Sequence, residues 1–171
     1  MSTTTVKAKL VEIQEAIPGI TRAFAYAPHN ISNSDLPAIV NFTGPANYDT
    51  VLVGTDVIYE TRTYLMRLFV KSIAAGLSGE VERDIEPFIS LVPSYFASRP
   101  DFEDLEGVLE NKILGDGGIQ VFKYGGQDYL GVEFRIEISE VILIDFYSPP
   151  AGEPWYYDFS VPTYTGLIPT I

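Results

Sequence analysis

The chain has 171 residues, 46% of them hydrophobic, enough for one domain that buries about two thirds of the surface its unfolded form would expose. With 23 acidic against 11 basic residues the formal charge is −12, which repels a phosphate backbone and excludes a nucleic-acid grip based on basic patches. There is no cysteine, so disulfides, thiolate nucleophiles and cysteine-held metals are excluded; no apolar run reaches the roughly 18 residues that span a bilayer, and Met1 to Thr5 lacks the basic and apolar regions of a signal peptide.

Val6, Leu10, Ile13 and Ile17 recur at helical spacing with Lys7, Lys9, Glu12 and Glu15 between them, so a helix is predicted there, with Thr3 to Thr5 offering capping hydroxyls and Pro18-Gly19 stopping it. Ile20 to Leu36 has weak periodicity and turn formers and reads as a surface loop; Ala38 to Phe42 reads as a strand buried on at least one face. Asn47 to Gly54 reads as a loop with room for a short strand at Val51 to Val53. Val57 to Ser72 is β-branched and aromatic throughout, a long strand expected to project from the sheet as half of a hairpin.

Val81, Ile85, Phe88, Ile89, Val92 and Phe96 share one helical face, but Pro87 and Pro93 each delete a ladder hydrogen bond, which predicts a kink or two short pieces. Asp101 to Asn111 reads as a marginal helical turn whose carboxylates sit at a helix start. Gly115-Asp116-Gly117-Gly118 reads as a tight turn before a strand from Ile119 to Tyr124. Gly125-Gly126 then separates that strand from another running from Tyr129 to about Ile144. There Leu130, Val132, Phe134, Ile136 and Ile138 alternate with Gly131, Glu133, Arg135, Glu137 and Ser139, the period of two expected of one packed and one wet face. The sum is an α+β fold: a mostly antiparallel sheet with a long hairpin, backed by two or three helices. Residues 1–141 form the core domain and residues 142–171 an extended arm, in which Trp155, Tyr156, Tyr157 and Phe159 stand among Pro149, Pro150, Pro154 and Pro162.

Chemistry-bearing patterns are sparse. His29 is the sole histidine, in a loop without a nucleophile elbow, and reads as a surface turn residue; no HExxH pattern occurs. The acidic cluster Asp101, Glu103, Asp104 and Glu106 lacks the ligand order of a calcium loop, and neither glycine run leads into the lysine and hydroxyl of a phosphate loop. No catalytic residue, metal or cofactor is assigned. Glu60, Arg62, Arg67, Glu133, Arg135 and Glu137 place alternating charges along two strands, to pair either within the sheet or across a subunit boundary.

Ile17-Pro18-Gly19-Ile20, Asp35-Leu36-Pro37-Ala38, Glu60 to Tyr64, Arg67 to Val70, Leu114 to Gly118 and Tyr124 to Phe134 together resemble tail terminator (tail completion) proteins of long-tailed bacteriophages. The resemblance implies a non-enzymatic virion protein, made in the host cytoplasm. Its α+β subunit would close into a hexameric ring, cap the tail tube, stop its polymerisation and meet the head-tail connector while DNA passes without specific binding. The arm departs from that family's pattern. Arg62, Arg67, Glu133, Arg135, Glu137, Trp155, Tyr156, Tyr157 and Phe159 are the expected interface residues. The alternatives are another neck component, such as an adaptor or head-completion protein, a carboxylate-based hydrolase, and an acidic binding module.

Overall fold

A computed structural model describes residues 3–50, 57–73 and 81–143. The elements are α1 (Thr3–Glu15), β1 (Arg22–Phe24), a single 3-10 turn at Asn33–Asp35, β2 (Ala38–Thr50), β3 (Val57–Ser72), α2 (Val81–Ala97), β4 (Val108–Tyr124) and β5 (Gln127–Leu143). The strands form one sheet in the order β1-β2-β3-β5-β4, antiparallel except for the short parallel pair β1–β2. The fold is α+β and mostly sheet, with both helices on one face.

That inner face carries the main core. Val6, Leu10, Ile13 and Ile17 pack with Ile85, Phe88, Val92 and Phe96 onto Tyr64, Met66 and Leu68 of β3 and Val132, Phe134, Ile136 and Ile138 of β5. Thr3 to Thr5 already lie within the helix α1 and are not its cap. Its buried seam includes one polar clasp: Gln14 and Asn41 exchange amide hydrogen bonds of 2.7 and 2.8 Å, and Asn41 Nδ2 also donates to the Phe24 carbonyl. Buried amides paired with one another fix α1, β1 and β2 in one arrangement.

The outer face is not uniformly wet. At its turn end Ile31, Ala38, Val40, Phe69, Phe122 and Tyr129 form a second, smaller core, with Phe69 meeting the rings of Phe122, Tyr124 and Tyr129 at 5.5 to 5.7 Å. The connection after β1 folds over it as a strap. Tyr129 Oη donates to the Ile31 carbonyl at 2.9 Å and Tyr124 Oη to the Pro28 carbonyl.

Several expectations need correction. Ile20 to Leu36 contains β1, which exists because β2 gives it a parallel partner. β2 runs through Gly44-Pro45 to Thr50 by a register shift between Thr43 and Ala46, so Asn47 to Thr50 is strand and not loop; Val51 to Val53 lie outside the described residues. β3 has the predicted bounds, but it is a central strand, paired along its length with β5 and from Ile58 to Phe69 with β2. α2 is one helix, because Pro87 and Pro93 sit off its buried stripe, where a carbonyl that loses its partner can turn to water. The glycines at 115, 117 and 118 lie inside β4, where register shifts between Ile113 and Gly115 and between Asp116 and Ile119 absorb them as bulges. Gly125 and Gly126, with φ of 57° and 79°, make the expected two-residue hairpin turn between Tyr124 and Gln127.

The segment after α2 departs furthest from expectation. Phe102, Glu103 and Asp104 have φ of 53°, 59° and 61°, a left-handed turn built without glycine. Phe102 is fully buried against Phe96, and the Glu103 carboxylate accepts from Lys9 Nζ at 2.8 Å and Arg99 Nε at 2.7 Å. These anchors hold the turn in place; the acids there do not start a helix.

Candidate functional site

Side chains alternate faces along a strand, and this divides the predicted charges into two groups. Arg67, Glu133, Arg135 and Glu137 lie on the outer face. Arg67 and Glu133 are opposite one another in the β3–β5 register and are bonded at 2.8 Å; the Arg67 guanidinium lies over the Phe42 and Phe122 rings at 4.8 and 5.4 Å. Arg135 reaches Glu133 at 3.7 Å and is largely exposed, while Glu137 stands between Thr63 and Lys112 in register. Intrachain cross-strand pairing therefore accounts for Arg67 and Glu133. Trp155, Tyr156, Tyr157 and Phe159 lie outside the described residues, as does the arm from residue 144 onward.

Arg62 is on the inner face with Glu60, and the polar group they form there includes Glu140, which the sequence reading did not single out. Glu60 stands opposite Glu140 in the β3–β5 register, and both carboxylates are buried, at 5% and 2% exposure. Arg62 is ion-paired with Glu60 and donates to Tyr48 Oη at 3.1 Å. That ion pair lacks hydrogen-bond alignment at Glu60 Oε1, and Arg62 Nε, Tyr64 Oη and Glu140 Oε2 are also buried without a hydrogen-bond partner. Burial, then the Glu60 charge opposite, raises the Glu140 carboxyl above its usual range. Burial, then the Glu140 charge, likewise pushes the Tyr64 phenol up. The signal for this group was parity: Glu60 and Arg62 match the core positions Tyr64, Met66 and Leu68, and Glu140 follows Ile136 and Ile138.

The Glu140 shift sets a sign for pH dependence. Since the folded chain holds this proton above the unfolded value of 4.5, folding takes up a proton in the interval between the two values, and stability falls as pH rises through it. Glu140→Gln removes the ionisable member. We expect the variant to gain urea resistance over the native chain at about pH 8 and to lose most of that advantage at about pH 4, checked by unfolding midpoints at both. An equal midpoint difference at both pH values would sink the assignment.

The edges of the sheet are the other notable surface. β4 is an edge strand, and exposed Leu109, Leu114 and Val121 lie along it; β2 carries exposed Tyr48. Among the described residues no group of three or more His, Cys, Asp or Glu side chains is gathered to hold a metal ion, and His29 is exposed in the strap. No family model matches the chain, and no curated protein matches it.

Proposed function

We propose that this chain is a structural virion protein, a tail terminator subunit whose closed ring caps the tail tube of a long-tailed bacteriophage. The observation that carries the reading is a small α+β subunit whose sheet, among the described residues, ends in two unlike, open edges, β4 on one side and β2 beyond Val40 on the other. Unlike edges suit head-to-tail contacts, which close into rings. The resemblance in Ile17 to Ile20, Glu60 to Tyr64 and Tyr124 to Phe134 supplies the specific role. A formal charge of −12 suits a ring through which DNA slides without adhering. Capping works by saturation: the ring occupies the last polymerising surface of the tube and offers no copy of that surface in return.

The test is light scattering of the purified protein, alone and with tail-tube fragments, followed by electron microscopy of the tube ends. The expected result is a sixfold ring, either free or formed on the tube end, that halts tube growth. A twelvefold ring that ignores tubes would replace the terminator by an adaptor of the neck. A chain that stays monomeric with and without tubes would overturn the ring reading.

A further inference from the structure

The free part of each edge can be stated residue by residue. The turn after α2 covers the start of β4, where Asn111 N donates to the Pro100 carbonyl at 2.7 Å and Asn111 Nδ2 to the Arg99 and Pro100 carbonyls, so among the described residues the open stretch runs from Lys112 to Tyr124. On the far side β1 pairs only Ala38 to Val40, and among the described residues no strand flanks β2 there from Asn41 to Thr50. A row of unspent backbone N–H and C=O groups is a template for another strand.

Direction, charge and irregularity all fit one edge to the other. β4 runs opposite to β5, β5 opposite to β3 and β3 opposite to β2, so β4 of one copy laid beside β2 of another is antiparallel. Asp49 and Lys112 are both exposed, and neither is ion-paired among the described residues. Placing them opposite each other sets Asn47 against Leu114, and Gly44 and Pro45 against Gly117 and Asp116. The break in β2 between Thr43 and Ala46 then lies along the β4 stretch whose own register shifts occur between Ile113 and Ile119. Pro45 has no N–H to offer, and Gly115 and Gly117, on either side of the Asp116 opposite it, leave it room. A strand of regular register would follow neither edge.

We infer that β4 of one copy docks antiparallel on Asn41–Thr50 of β2 in the next copy, with Asp49 facing Lys112, so that one sheet continues from subunit to subunit. This rests on the ring reading and specifies its contact. The apolar side chains at Leu114 and Tyr48 leave water in that contact.

The experiment uses the full chain. Asp49→Lys and Lys112→Asp should each reduce the assembled mass to the 18.9 kDa of a single folded chain, and the double reversal should restore the assembly. Because the chain has no cysteine, Asn47→Cys with Leu114→Cys should give an oxidative ladder of multimers on denaturing gels, while neither single variant cross-links. Circular dichroism of each variant checks that the subunit stays folded. An intact ring that ignores the charge reversals and gives no ladder overturns this contact and leaves the ring reading standing. A dimer from Leu114→Cys alone also overturns it, since two β4 edges would then meet. A native chain that is monomeric throughout overturns both.

Discussion

Gly131→Ala is expected to destabilise the subunit by about 3 kcal/mol or more, a large share of the roughly 5–15 kcal/mol that holds a domain together. Gly131 lies opposite Phe69, next to the register shift between Phe69 and Lys71, where the β3 and β5 backbones come unusually close. A β-carbon added there would stand 1.8 Å from the Leu68 carbonyl oxygen and 2.9 Å from the carbonyl carbon. Backbone atoms cannot rotate away as a side chain would, so the two central strands must separate. Gly126→Ala is the control: nothing lies within 4 Å of its added carbon, and only its φ of 79° is strained, at a cost of about 1 kcal/mol. Urea midpoints of the two variants should differ accordingly. Equal losses would mean that the close approach at Gly131 is not what fixes the strands.

Phe102→Ala has the next largest expected effect, a loss of about 4 kcal/mol. The ring is fully buried and meets Phe96 edge-on at 6.1 Å, so its removal leaves a cavity beneath α2. It also frees the three left-handed residues, each strained by roughly 1–2 kcal/mol, from the anchor that holds them. The ion pairs of Glu103 with Lys9 and Arg99 are partly exposed and screened, and do not replace that anchor. Thermal unfolding of Phe102→Ala beside Glu103→Gln separates the two contributions. A larger loss in the glutamine variant would show that charge and not burial fixes the turn.

The parts of this fold that were legible in the sequence are those decided locally. The α1 stripe, the bounds of β3, the face of α2 and the turn at Gly125-Gly126 follow from periodicity and backbone freedom within a few residues. β1 is three residues long and has no period to read; it exists because Asn41, Gln14 and the Ala38–Val40 segment hold it from elsewhere in the chain. The glycines at 115, 117 and 118 read as a turn because glycine marks both turns and bulges, and only the partner strand decides between them. The Glu60–Glu140 opposition depends on a register between residues 80 apart in the chain. The split of the charged residues between two faces was within reach, because the parity of Glu60 and Arg62 already placed them with the core.

The strap over the outer face has a consequence for how the molecule opens. The tip of a hairpin as long as β4–β5 ordinarily opens readily where it has few neighbours. Here the hydroxyls of Tyr124 and Tyr129, one and three positions from the turn glycines at 125 and 126 respectively, are tied to carbonyls near residue 30, across nearly a hundred residues of chain. Amides beside the turn should therefore exchange with solvent as slowly as those of the central strand. The first to exchange should be those at the opposite end, where Ile58 and Ile142 pair beyond the reach of both helices.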